Sequence, residues 1–305
     1  MQENNREDMM REQLTKNGIL FTVNEPMAKH TSFQIGGPAD WFVCPAGKEQ
    51  LKIAVAIIKE AGLPYFVLGN GSNLLVSDQG IRGVVLQPQC NEITVSETRM
   101  RCGSGVKLSR AAKEAAKYSL EGLEFASGIP GSMGGAVRMN AGAYGGEMAD
   151  VVVSTEYLDP NTLEFMTAVG KQHEFSYRHS MFCGDEGYII CSSELELRPG
   201  NQKDILNKMD ELAKRRREKQ PVSLPSGGST FKRPEGYYAA ALIDQAGLRG
   251  KRVGGAQVSE KHTGFIVNTG GATAQDVKDL MALVQQEVKK QFGVLLESEI
   301  CMIGE

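Results

Sequence analysis

Three short stretches of the 305-residue chain hold side chains whose types could do chemistry. "PSGGSTFKRP", Pro225 to Pro234, sets Ser229 behind two glycines and ahead of a threonine, an aromatic and two cations. "FSYRHS", Phe175 to Ser180, sets Arg178 beside His179. "LLESEICMIG" alternates: as a strand it would turn Leu296, Ser298, Ile300 and Met302 one way and Glu297, Glu299 and Cys301 the other. A serine in such a place could be a nucleophile, a phosphate ligand or a cap. "GGSTF" is neither G-x-S-x-G nor G-x-x-x-x-G-K-[ST], which excludes an α/β-hydrolase elbow and a P-loop. With four histidines, at 30, 173, 179 and 262, a triad base has no support. Read locally, Ser229 is a turn residue or helix cap and Arg178 a solvated strand arginine. The two glutamates are either paired for acid–base work or simply solvated.

Glycine-rich stretches add a second kind of signal. "LGNGSNLLVSD", Leu68 to Asp78, has G-x-G at Gly69 and Gly71, but Leu74 stands where a dinucleotide fingerprint needs its third glycine. A strand-like run follows, so no helix N-terminus is offered to a pyrophosphate. The loop is then a plain β-turn or an anion nest of backbone N–H groups. "SGIPGSMGGAVRMNAGAYGG", Ser127 to Gly146, has seven glycines in twenty residues. That density costs folding entropy unless backbone must approach something closely. A flat cofactor lying on bare main chain accounts for it better than a linker, which would not hold Ile129, Pro130, Met133, Val137, Met139 and Tyr144. The cations of "LAKRRREKQP" either complement a helix C-terminus or meet a diphosphate.

The elements that must position these residues read as α+β. "EQLKIAVAIIKEAGLP" is helical, with Leu51, Ala54, Val55 and Ile58 on one face and Gly62 as the stop. "YFVLG", "LLVSD" and "GVVLQP" read as strands. "KLSRAAKEAAKYSL" is a helix, and "DVVVSTEYLD", "EFMTAVG" and "YIICSSELELR" are antiparallel strands. After the helix "KDILNKMDELAKRRREKQ", "YYAAALIDQAGLRG" is a helix ending at Gly247, and "HTGFIVNTG" is a strand. "TAQDVKDLMALVQQEVKKQFG" is a helix capped by Thr273 with Asp276, and a final strand spans "VLLESEICMIG". These breaks suggest three regions, 1–90, 91–200 and 201–305.

Net charge of −3 carries no nucleic-acid or membrane signature. No apolar run approaches the ~18 residues of a span. Six cysteines without a C-x-x-C pair point to a reducing cytosol and away from structural zinc.

Taken in order, "HTSFQIGGPADWF", "VLGNGSNLLVSD", "FASGIPGSMGGAVRMNAGAYGGE", "SYRHSMF", "PSGGSTFKRP" and "LESEICMIG" resemble the UDP-N-acetylenolpyruvoylglucosamine reductase family, over essentially the whole chain. The compact third region and the short tail after Gly304 are similar to the type II subclass, which lacks a tyrosine-bearing loop. The resemblance implies an α+β fold: a two-subdomain FAD-binding unit of the vanillyl-alcohol-oxidase (PCMH) type plus a C-terminal α+β substrate-binding domain. The cofactor is then non-covalent FAD, with NADPH as hydride donor. The residues implied at FAD are Gly69, Asn70, Gly71, Ser72 and Asn73, then Ser127, Gly128, Ile129, Pro130, Gly131, Ser132, Gly134, Gly135, Ala136, Asn140, Gly142 and Ala143. The implied reaction reduces UDP-N-acetylglucosamine enolpyruvate to UDP-N-acetylmuramate for the cell wall. Arg178 and a protonated Glu299 would face the enol carboxylate, and Ser229 would supply the proton. For substrate, Tyr144, Lys219, Arg233 and His262 would join Arg178 and Ser229. Where the family usually has a basic residue two positions after the glutamate, this chain has Cys301. A cytoplasmic monomer with no nucleic-acid or membrane partner and no metal is the remaining expectation. Two other readings compete: a flavoenzyme of the same fold acting on another small molecule, and a non-catalytic nucleotide-sugar-binding protein.

Overall fold

A computed structural model describes residues 2–304, so that Met1 and the one-residue tail after Gly304 lie outside the described residues. Two compact units interleave along the chain. The first comprises Met1–Val23, Trp41–Asn70 and Gly83–Lys214; the second comprises Asn24–Asp40, Gly71–Arg82 and Arg215–Glu305.

The first unit has two hydrophobic cores. One forms around the helix Gly47–Ala61, whose apolar face buries Leu51, Ala54, Val55, Ile57 and Ile58, and which Gly62 closes in the left-handed region. The helix Gln2–Lys16 joins it through Met10 and Leu14. Two buried apolar residues are too thin a stripe to read as a helix from sequence, so this element was unexpected. A four-stranded sheet runs Leu20–Pro26, Pro38–Cys44, Ile81–Leu86, Tyr65–Val67 in spatial order. Its first two strands were also not expected from sequence. The other core lies on a five-stranded antiparallel sheet, ordered Glu164–Val169, Val152–Asp159, Ile189–Glu196, Arg99–Gly103, Ile93–Ser96. The alanine-rich face of the helix Leu108–Lys117 and the short helix Met133–Arg138 cover it.

In the second unit, the strands Arg252–Val253, Ala256–Val258 and Ile266–Asn268 form an antiparallel sheet against the helices Ala239–Gln245 and Ala274–Phe292. The long helix buries Val277, Leu280, Val284 and Val288, as its spacing predicts, between a Thr273–Asp276 capping box and Gly293. Such a cap contributes about 0.5–2 kcal/mol. Its first free N–H groups, from Ala274 and Gln275, donate to the carboxylate of Asp78 at 2.8 and 3.1 Å. Segment 71–82 is bound again where Leu74–Val76 pairs in parallel with Cys301–Ile303. The final strand is therefore shorter than expected. Residues 294–297 are not strand, and Met302, expected beside Leu296 and Ile300, is 49% exposed while those two are buried.

Candidate active site

Ser229 is neither a helix cap nor part of a regular turn. It follows Gly228, at φ +81°, on an irregular extended segment gripped at both ends. Upstream, Ser226 bridges Val267, and the Asn268 N–H donates to the Pro225 carbonyl at 2.9 Å. Downstream, buried Thr230 donates its N–H to the Gly264 carbonyl at 2.8 Å, while its Oγ1 accepts from the Ile266 N–H at 3.0 Å. Phe231 then bridges Ser298. This antiparallel pairing carries Glu299 in: its N–H donates to the Thr230 carbonyl at 2.9 Å, one residue from Ser229. The two glutamates part company here. Glu297 is exposed and ion-paired with Lys232 at 3.2 Å, whereas Glu299 is half-buried. Cys301 is exposed on its strand.

A clamp from the N-terminal part of the same unit steadies this arrangement. Ser32 Oγ donates to the Ser226 carbonyl at 2.6 Å, and the Ser32 N–H donates to the Gly71 carbonyl at 3.0 Å. Phe33 is fully buried, which stabilises by about 1.5–3 kcal/mol. A Cβ on Gly227 would stand 2.5 Å from its ring. Asn268 donates to the Phe33 carbonyl at 3.0 Å while its Oδ1 accepts from the N–H groups of Gly270 and Ala272. Sequence reasoning gave Ser32, Thr230 and Asn268 no role. The one local signal was an asparagine inside the apolar run "FIVNTG".

The glycine-rich residues of the first unit come together around Ser132. Asn70 Nδ2 donates to the Pro130 carbonyl at 2.5 Å, and the N–H groups of Met133 and Gly134 donate to the carbonyls of Val106 and Ser104. A Cβ on Gly69 would lie 2.7 Å from Ser132 Oγ. That hydroxyl is buried with no hydrogen-bond partner among the described residues. A buried orphan hydroxyl normally has an external partner, because leaving one unmade costs about 1–3 kcal/mol. Bare main chain beside it suits a polar, phosphate-bearing group, so these residues fit a flavin nucleotide. Gly71, in the second unit, has φ +59°, and a Cβ there would meet the His30 carbonyl at 1.9 Å. Ala136 and Asn140 are buried.

Asn140 ties this segment to Arg178. Its Nδ2 donates to the Ser176 carbonyl at 3.1 Å, and its Oδ1 accepts from the Ala149 N–H at 2.9 Å. Ser180 Oγ donates to the Arg138 carbonyl at 2.6 Å. Between these anchors, Ser176 and His179 exchange N–H···O bonds across a two-residue turn. Arg178 is therefore on a turn rather than a strand, at φ +57°, with its guanidinium 5.1 Å from the Tyr177 ring centroid. Tyr144 shares that backbone region at φ +55°, on the hairpin between Gly142–Ala143 and Gly146–Glu147. A large side chain in this region costs about 1–3 kcal/mol and collects at functional sites.

Among the remaining candidates, Lys219 is exposed at the end of the helix Gln202–Lys219. The Arg233 guanidinium sits 4.0 Å from the Tyr238 ring centroid, and that tyrosine is exposed. His262 lies on the loop that meets Thr230, its Nδ1 accepting from the Gly264 N–H at 3.2 Å. Burial pushes its ring below the usual imidazole value. Thus the segments carrying Ser229, Glu299 and His262 belong to the second unit and are joined through Thr230, while Arg178, Tyr144 and the Ser132 cradle belong to the first. Among the described residues, no group of three His, Cys, Asp or Glu could hold a metal, and no helix is long and apolar enough to cross a membrane.

Residues 220–303 match the family model of the UDP-N-acetylenolpyruvoylglucosamine reductase C-terminal domain, and residues 39–165 match that of an FAD binding domain. A curated UDP-N-acetylenolpyruvoylglucosamine reductase of Clostridioides difficile strain 630 is 50% identical over 285 residues, 93% of each chain. One of Caldanaerobacter subterraneus subsp. tengcongensis is 49% identical over 294 residues, 96% of each. Among solved structures, the UDP-N-acetylenolpyruvylglucosamine reductase (MurB) of Thermus caldophilus is similar at TM-score 0.78 and 35% identity, covering 94% of this chain and 99% of that one.

Proposed function

The chain belongs to the UDP-N-acetylenolpyruvoylglucosamine reductase family, and from that premise we propose how its residues divide the work. It is an FAD-dependent, NADPH-driven oxidoreductase that reduces UDP-N-acetylglucosamine enolpyruvate to UDP-N-acetylmuramate in peptidoglycan synthesis. FAD, when bound, would supply the hydride chemistry between NADPH and the terminal carbon of the enolpyruvyl double bond. The chain's own residues handle the charge and the proton. As hydride arrives, negative charge builds on the enol carboxylate; Arg178 and the acid form of Glu299 meet it, an oxyanion-type stabilisation. Ser229 Oγ–H breaks as its proton passes to the neighbouring carbon. A hydroxyl is a weak acid, but an enolate carbon is basic enough to take its proton.

The observation that carries this reading is the pairing of Thr230 with Glu299, which brings the serine and glutamate segments side by side. The orphan hydroxyl of Ser132 beside Gly69 supports placing FAD against Gly69, Asn70 and segment 127–143. Lys219 and Arg233 take the diphosphate, and Tyr144 and His262 give polar contacts to substrate. The proposed domains are 1–90, 91–200 and 201–305, and the cores cross these bounds: Phe33, Ile35 and Leu75 pack with the C-terminal third, and Leu158, Ile189 and Cys191 with the first core. The protein works as a monomer in the cytoplasm, without membrane or nucleic acid.

Purified protein tests the reading directly. It is yellow, bleaches with NADPH, and regains colour anaerobically only with the UDP-enolpyruvyl sugar. A colourless preparation that FAD cannot reconstitute would overturn it.

A further inference from the structure

Asn73 sits in a loop whose sequence points to a cofactor phosphate, yet its side chain is engaged elsewhere. Its Nδ2 donates to the carbonyl of Glu299 at 2.9 Å. Its own carbonyl accepts from the Cys301 N–H at 3.0 Å, just before Leu74 pairs with Cys301. The peptide preceding Glu299 is already fixed, because its N–H donates to the Thr230 carbonyl. Asn73 fixes the peptide that follows. With both neighbouring peptide planes held, the φ and ψ of Glu299 are set, and so is the direction of its Cα–Cβ bond. The regular pairing with residues 230–232 has ended here, since Ile300 bends away before the strand Cys301–Ile303 begins. The Glu299 carbonyl therefore takes its donor from a side chain rather than a ladder.

We propose that Asn73 is a positioning residue for Glu299, aiming its carboxyl by holding the backbone on its C-terminal side. The inference rests on the reading of Glu299 as the group that meets the substrate carboxylate. A misplacement of about 1 Å at a reacting group costs up to ~10²-fold. The consequence falls on one half-reaction, because Glu299 acts on the enolpyruvyl sugar and not on NADPH.

The test is anaerobic stopped-flow of the FAD-loaded protein, comparing flavin reduction by NADPH with reoxidation by UDP-N-acetylglucosamine enolpyruvate. For Asn73→Ala, and for the near-isosteric Asn73→Asp, the ratio of reoxidation to reduction rates falls about tenfold or more. A ratio at the unsubstituted value overturns the proposal. So does a parallel fall of both rates together with bound FAD, which would assign Asn73 to the cofactor. Glu299→Ala is measured alongside. If it leaves the ratio intact, the reading of Glu299 itself fails. If it lowers the ratio and neither Asn73 variant does, only the positioning role fails. In the Asn73→Ala/Glu299→Ala double variant the losses are less than additive, since both act through one carboxyl. Failure of both Asn73 variants to fold would make the residue structural and end the proposal.

Discussion

The backbone N–H of Glu299 donates to the carbonyl of Thr230 at 2.9 Å, so the segment of the proposed carboxylate partner is fastened one residue from the proposed proton donor, Ser229. Ser229 and Glu299 are 70 positions apart in sequence yet lie on neighbouring segments. Backbone holds this geometry, so side-chain exchanges at either residue leave it in place. Chemical effects can then be separated from folding effects.

Ser229→Ala keeps flavin reduction by NADPH and slows reoxidation by the enolpyruvyl sugar ~10²–10⁴-fold, the usual loss for a general acid. Stopped-flow of the two half-reactions measures this. Equal losses in both would remove Ser229 from the proton-transfer role.

Ser132→Ala has the opposite signature. Its hydroxyl is buried without a partner among the described residues, so its removal leaves the melting temperature of the FAD-free protein unchanged or raised. FAD titration shows weaker binding by about 2–13-fold, the equivalent of one net hydrogen bond. An unchanged FAD affinity would mean that the hydroxyl does not face the cofactor.

Gly227→Ala brings a Cβ to 2.5 Å from the Phe33 ring. Phe33 is fully buried and cannot swing away, so overpacking costs about 1–3 kcal/mol in urea unfolding. The Ser229 segment shifts with it, and reoxidation slows more than reduction. Unchanged stability would show that the clamp is looser than the packing indicates.

Acid weakens the fold through one buried and one half-buried imidazole. Burial lowers the values of His173 and His262, so each ring protonates more readily in the unfolded chain, near 6.5, than in the fold. Between the lowered folded values and about 6.5 the unfolded state binds more protons, and stability rises with pH. The contribution is complete above about 6.5 and is lost as pH falls through the folded values. Urea midpoints from pH 8 to 5 measure the slope. His173→Gln flattens it; an identical slope in that variant would exclude His173 as a source.

Thiol labelling distinguishes surface from core. Burial raises Cys102 and Cys191 to about 12, leaving about 10⁻⁴ or less of each as thiolate at pH 8. Native protein treated with iodoacetamide therefore labels exposed Cys301 first and spares both, as peptide mass mapping would record. Comparable labelling of Cys102 would count against the packing of its sheet.

Much of this protein is determined by sequence alone. The helices Gly47–Ala61 and Ala274–Phe292 are legible because apolar spacing, a Thr273 cap and left-handed glycines act within a few residues of one another. The flavin segments are legible because glycine at such density has few other uses. The identities of Ser229, Arg178 and Glu299 stood out only through the order of motifs, since each reads locally as a turn, a solvated arginine or a solvated acid. Tertiary structure decided the rest. It placed segments 24–40 and 71–82 with the C-terminal third, through bonds such as Ser32 to Ser226 and Asp78 to Ala274. It also turned Asn73 toward Glu299 and Asn140 toward Ser176. No periodicity announces such contacts, because their partners are backbone groups left unpaired where strands and helices end. Only the folded chain determines which asparagine is near enough to satisfy them.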